Sequence, residues 1–190
     1  MADPKTYRAI RDRLGDRCWR LNNLYSIIDE QGREIPFRLN DEQQQMYREM
    51  WYFNCILKAR QLGFSTFIQL FGLDMCLFNS NTEFGIIAQS LDDAKAIFRN
   101  KIKFAYDKLP DWLKEVRTAS TDSANEIRFN NGSGIRVGTS LRGGTLQILH
   151  VSEYGKIAAR YPDKAKEIKT GAFNTVHAGQ FLFVESTPRS

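Results

Sequence analysis

Short apolar runs separated by helix-length stretches constrain this chain more than any other feature. Phe84 to Ala88, Leu146 to Val151 and Phe181 to Val184 are apolar or nearly so from end to end. Tyr52-Phe53-Asn54-Cys55-Ile56-Leu57 is a further, mostly apolar run that reads as a buried strand. Between these runs the spacing predicts helices over Asp41 to Trp51, with Asn40 or Asp41 as N-cap, and from about Ser65 to Phe78. A third helix is predicted over Asp92 to Lys108. Ala94, Ile97, Ile102, Ala105 and Leu109 mark its inner side, and Pro110 stops it. Glu126 to Phe129 and Ile135 to Val137 flank Asn130-Asn131-Gly132-Ser133-Gly134, a hairpin signal. Strands buried on both faces and alternating with helices imply an α/β sheet covered by helices.

The chain has 190 residues, enough for about one domain with a core that needs no disulfides. Hydrophobic residues at 42% and charged residues at 26% exclude a disordered chain. No apolar run approaches the ~18 residues of a membrane span. The longest candidate, Leu62 to Phe78, is broken by Ser65, Thr66, Gln69 and Asp74. The basic start is followed by no apolar stretch, so no secretory signal is expected. Cys18, Cys55 and Cys76 are far apart, and His150 and His177 stand alone, without the paired spacing of a zinc site. The cysteines read as small hydrophobes in a reducing cytosol. The net charge of +5 permits an anionic partner without requiring one. Residues 1–20 are basic and read as an exposed helix or arm.

Leu57-Lys58-Ala59-Arg60-Gln61-Leu62-Gly63-Phe64-Ser65-Thr66 lies after one apolar run and before a helix. Successive backbone N–H groups and a helix N-terminus at such a place suit a polyphosphate. Against the pattern G-x-x-x-x-G-K-[ST], Gly63 takes the second glycine and Ser65 the hydroxyl that meets Mg²⁺. Lys58 then stands on the first glycine and Phe64 on the usual lysine. A long, flexible lysine stem lets Lys58 reach the β/γ-phosphates from the loop entrance, with Arg60 as a second cation. The plain alternative is a basic surface turn.

Leu146 to Val151 leads into Ser152 and Glu153, so a carboxylate follows directly on a buried strand. Phosphate hydrolysis needs a base or water-positioning group on a rigid strand tip, and Glu153 fits that role. Ser152 stands where an Asp normally holds Mg²⁺ through water; a hydroxyl does so without charge.

Together these segments resemble the large terminase subunit of tailed bacteriophages, over residues 36–190. K-A-R-Q-L-G-F-S-T at 58–66 is similar to that family's deviant phosphate loop, and G-I-I-A-Q-S at 85–90 to its second strand. L-H-V-S-E-Y-G-K at 149–156 resembles its Walker B segment, Ser152 replacing Asp, and F-V-E-S-T-P at 183–188 its coupling motif. The resemblance implies a P-loop NTPase of the ASCE type, with a mostly parallel central sheet flanked by helices and a β-hairpin insertion. It implies a basic N-terminal segment at 1–35 and an ATPase domain at 36–190. It further implies that Lys58, Arg60, Gly63, Ser65 and Thr66 bind ATP and Mg²⁺, with Ser152 contacting the metal through water. Glu153 would activate the attacking water, and Ser186 and Thr187 would couple hydrolysis to movement. Phe37 to Gln43 is similar to the adenine-recognising segment. Gln43 is the choice there, beside Gln44 and Gln45, because an amide both donates and accepts. Arg142, in the loop Ser140-Leu141-Arg142-Gly143-Gly144, is a candidate arginine finger acting on a neighbouring subunit.

The implied activity is ATP hydrolysis driving DNA into a procapsid in the host cytoplasm. Double-stranded DNA, the portal protein and the small terminase subunit would be partners. The implied assembly is a ring on the portal, with a monomer in isolation, and no membrane is involved. The family's metal-dependent nuclease part has no counterpart in these 190 residues, so no nuclease activity is expected of them and a fragment is the favoured reading. Two alternatives stand beside the motor: a degenerate nucleotide- or DNA-binding module without efficient hydrolysis, and a helicase-like ATPase. Lys95, Arg99, Lys101, Lys103 and Lys108, and Lys156, Arg160, Lys164, Lys166 and Lys169, are candidate DNA-phosphate contacts.

Overall fold

The computed structural model describes residues 4–59, 62–141 and 143–188. The chain opens with α1 (Pro4–Gly15), α2 (Arg17–Asn23) and an antiparallel ribbon of β1 (Ser26–Ile28) and β2 (Glu34–Pro36). Then α3 (Asp41–Glu49) precedes β3 (Phe53–Leu57), which leads through a loop into α4 (Phe64–Phe78). After β4 (Glu83–Ile87) come α5 (Leu91–Ile97), a π-helical turn over Phe98–Lys103 and α6 (Phe104–Asp107), forming one unbroken helical stretch. The wider turn accommodates the five-residue step from Ile97 to Ile102. Next follow α7 (Asp111–Val116), β5 (Ala119–Asp122), β6 (Glu126–Phe129), β7 (Gly134–Gly138) and β8 (Leu146–Val151). The last elements are α8 (Tyr154–Arg160), α9 (Pro162–Glu167) and β9 (Val176–Ser186).

One seven-stranded sheet runs in the order β3-β9-β8-β4-β7-β6-β5. Neighbours from β3 through β7 are parallel, while β6 and β5 add antiparallel at the far edge. The expected hairpin is thus built into the sheet, with Ile127 opposite Ile135. Strand β9 lies between β3, which feeds the loop, and β8, which leads to Glu153. That insertion and the flanking helices give the mostly parallel α/β sheet that the sequence leads one to expect.

Strand alternation divides the core between the two faces. Phe84, Ile86, Ile148 and Phe183 pack toward α4, whereas Ile87, Leu149, Val151, Leu182 and Val184 pack with Ile157, Ala165 and Ile168. Helix α4 is apolar almost all round, and Phe67, Ile68, Leu70, Phe71 and Leu73 are fully buried. Such a helix belongs inside a core.

Two expectations are corrected. β3 is an edge strand, with Phe53 58% and Leu57 73% exposed, because among the described residues only β9 pairs with it. The basic start is not simply an exposed helix or arm: Leu14, Cys18 and Trp19 pack against the core around α4, which the following Leu21, Leu24 and Tyr25 enter. Arg20, 5% exposed, donates to both oxygens of buried Asp74 at 2.9 and 2.7 Å, and the Tyr25 hydroxyl donates to Asp74 at 2.8 Å. Among the described residues no helix is long and apolar enough to cross a membrane.

Candidate functional site

Parallel strands bring their carboxyl ends to one edge, where α/β sheets form ligand crevices. Leu57 pairs with Ser186, and Val151 with Val184, so Lys58, Glu185 to Thr187 and Ser152-Glu153 emerge side by side. The Lys58 backbone N–H donates to the Ser186 carbonyl at 3.1 Å, fixing the loop entrance to β9.

Gly63 ends the loop and N-caps α4 in the left-handed region, at φ 72°. A side chain there meets a second obstacle, since an added Cβ would lie 2.5 Å from Gln43 Nε2. Gln43 is 4% exposed, and its amide is engaged at both ends. Its oxygen accepts from the Asn40 N–H at 3.1 Å and its nitrogen donates to the Gly63 carbonyl at 2.9 Å. Asn40 accepts from the Gln43 N–H, which completes a capping box at the start of α3. Gln43 therefore pins the loop to α3. Gln44 donates to Leu39 and Gln45 to Glu49.

The Lys58 ammonium donates to Ser65 Oγ at 2.7 Å and lies 3.2 Å from Glu185 Oε2. Ser65 donates to Glu185 Oε1 at 2.6 Å, a charge-assisted length, and Ser152 donates to the same oxygen at 3.1 Å. Glu185 is fully buried, facing α4 because strand parity sets it with Phe183 and opposite Val184. His150, also fully buried, sets Nε2 3.3 Å from Glu185 Oε1, and its Nδ1 meets the Gln69 amide from α4. Burial pushes the Glu185 carboxyl up, but His150, Ser65 and Lys58 outweigh it and hold the group far below the usual carboxylate range.

Glu153 adopts φ 55°, ψ 42° between β8 and α8, a left-handed conformation that costs a non-glycine residue about 1–3 kcal/mol. Thr187 Oγ1 donates to Glu153 Oε2 at 2.8 Å, and Lys156 Nζ lies 3.2 Å from it. Burial raises the Glu153 carboxyl, yet Thr187 and Lys156 bring it below its ordinary value. Ser186 Oγ accepts from the Gly155 N–H at 3.2 Å, an approach so close that a Cβ on Gly155 would lie 2.5 Å from that oxygen.

The structure thus gathers Lys58, Ser65 and Ser152 around Glu185, and Ser186-Thr187 spans from Lys58 to Glu153. Thr66 lies apart from that group, its Oγ1 accepting from Lys101 at 2.9 Å. Burial lowers the Lys101 pKa, with Glu185 opposing and Lys58 adding to the effect. Arg60 and Arg142 lie outside the described residues. Of the basic residues considered for DNA, Lys103 pairs with Asp107 and Asp122, and Lys108 with Glu34. Glu185 and His150 escaped the sequence reading, although a charged residue inside the run Phe181 to Val184-Glu185 was a usable signal. Among the described residues no three His, Cys, Asp or Glu side chains form a metal cage. Ser65, Ser152 and Glu185 nonetheless offer hard oxygens at one point, which fits Mg²⁺ held jointly with phosphates.

A strand–loop–helix unit and a carboxylate on a nearby strand tip thus share one edge of the sheet. No protein-family model and no curated protein matches the chain. Among solved structures it is similar to the large terminase of a thermophilic bacteriophage in complex with ATP-γ-S. Identity is 13% and TM-score 0.47, over 77% of this chain and 37% of that one. A second structure of that terminase gives 15% identity and TM-score 0.45, over 80% of this chain and 38% of the other. The chain therefore spans less than two fifths of the structures it resembles.

Proposed function

We propose that this chain is the ATP-hydrolysing motor domain of a phage-type large terminase, acting on double-stranded DNA. One observation carries the reading: Lys58 and Ser65 at the loop, and Glu153 at the tip of β8, are tied together through Glu185, Ser186 and Thr187 of the intervening strand and its end. Lys58, the loop N–H groups and Ser65 would bind the triphosphate, as the lysine and helix N-terminus of a phosphate loop do. Mg²⁺, when bound, would neutralise charge on the β/γ-oxygens. Glu153, ionised at neutral pH, would accept a proton from the attacking water. Thr187 holds the carboxylate that would do so, and its neighbour Ser186 receives the Lys58 N–H. A change at the γ-phosphate would therefore reach β9 through these two residues, which is the coupling role. Packaging into a procapsid, the portal and small-subunit partners, a ring assembly and a cytoplasmic setting belong to the same proposal.

The binding-module alternative draws on Ser152, which brings no charge to the metal. Phosphate release in the presence of Mg²⁺ and DNA separates the two. The motor predicts hydrolysis that falls about 10²–10⁴-fold in Glu153→Gln, with nucleotide still bound, and is lost in Lys58→Ala. Unchanged turnover in both variants would overturn the motor reading. Binding without any phosphate release by the wild type would favour the module.

A further inference from the structure

Serine at position 152 leaves the usual place of the metal-holding carboxylate without a charge, yet a buried carboxylate stands one strand away. Glu185 is fully buried, and among the described residues its Oε2 has no hydrogen bond, although Lys58 Nζ lies 3.2 Å from it. Its Oε1 draws in both hydroxyls, Ser65 at 2.6 Å and Ser152 at 3.1 Å. Burying a carboxylate whose second oxygen meets only the ammonium of a flexible lysine costs stability, and ordinary core packing does not call for it. The Lys58 ammonium, 2.7 Å from Ser65 and 3.2 Å from Glu185, already occupies this corner as a cation. Mg²⁺ takes hard oxygens, retains waters and needs only one or two carboxylates when phosphates complete its shell.

We propose that Glu185 on β9 supplies the carboxylate that Ser152 lacks, holding Mg²⁺ at the nucleotide together with Ser65. This rests on the nucleotide-site reading above. Ser152 and His150 are positioning residues here, orienting Glu185 from the β8 side. Lys58 exchanges partners: it neutralises Glu185 when no nucleotide is bound and turns to the phosphates when one is. The same carboxylate then faces a cation in both states, which explains why a charge is tolerated in so closed a place.

The test is binding of AMP-PNP to the whole chain, by calorimetry, with Mg²⁺ and with EDTA. Wild type should gain about tenfold or more in affinity from Mg²⁺. Glu185→Gln should lose that gain while its metal-free affinity holds or rises as Lys58 is released, and Ser152→Asp/Glu185→Gln should recover the gain by returning the carboxylate to β8. A Glu185→Gln variant that keeps the full gain overturns the proposal. So does one that keeps the gain and merely binds metal-free AMP-PNP more tightly, which would make Glu185 only a counter-ion for Lys58. In both cases loss of binding in Lys58→Ala leaves the nucleotide-site reading standing, whereas a wild type that binds no AMP-PNP removes the reading and the proposal together. Thermal melts report whether the variants fold. Independently of them, crystals of the wild type with Mn²⁺ and AMP-PNP should show an anomalous peak beside Glu185, and a peak remote from it overturns the proposal.

Discussion

Helix α4 carries a buried charge cluster near each end, and the two are built differently. Toward its C-terminal end Asp74 takes two hydrogen bonds from Arg20 and one from Tyr25, and Arg17 lies 3.6 Å away. Near its N-terminal end Ser65 joins Lys58, Glu185, Ser152, His150 and Gln69. There Glu185 Oε2, His150 Nε2 and Gln69 Oε1 lack hydrogen bonds among the described residues, against Arg17 Nε alone in the first cluster. A carboxylate met on both oxygens by a bidentate arginine needs nothing more. One whose second oxygen is met only by the ammonium of a flexible lysine is arranged to exchange partners. The first cluster fastens the N-terminal segment to the core. The second stores unsatisfied polarity where a ligand would meet it.

Breaking the first cluster should cost most. Asp74→Ala leaves Arg20 buried without its counter-ion, and urea unfolding should show a loss of about 3–5 kcal/mol. A loss under about 1 kcal/mol would mean the two clusters do not differ in kind. Gly63→Ala, at the loop end, should cost about 1–2 kcal/mol from the left-handed backbone alone. It should also weaken nucleotide binding, because the Gly63–Gln43 contact must open. Lys58→Met/Glu185→Gln removes both charges of the second cluster. Its unfolding free energy should be unchanged or higher by about 1 kcal/mol, with nucleotide binding lost.

The smallest effect concerns acid. Glu185 and Glu153 sit below their ordinary values in the folded chain. Each then adds stability that is fully present above the unfolded value of about 4.3 and is lost as pH falls toward its lowered folded value. Unfolding measured from pH 6 to pH 2 should steepen below about 4.3. Glu185→Gln should flatten that limb more than Glu153→Gln, whose side chain is partly exposed and screened.

Much of this was legible in the sequence, for physical reasons that vary by element. β4, β8 and α4 are apolar over most of their surface because each is enclosed, so their burial is written locally. β3 is also apolar, but being an edge strand depends on which strand pairs beside it, a fact that no window around Phe53 contains. Lys58, Ser65, Ser152 and Glu153 were marked by their place between strand and helix. The capping box at Asn40 and Gln43 was a legible pattern too, and it gives Gln43 a structural task at the loop. Arg20 and Asp74 stand 54 residues apart, and only the presence of an acid in an otherwise apolar helix hinted at a partner. Glu185 was hidden in the same manner, since its partners come from β3, α4 and β8, and only folding brings them together.

A crystal structure of the chain with AMP-PNP and Mg²⁺ tests the central claim most directly. The Lys58 ammonium should have left Glu185 for the β/γ-phosphate oxygens, with the Glu153 carboxylate across from the γ-phosphate. A nucleotide seated elsewhere, with Lys58 still on Glu185 and Ser65, would contradict the account.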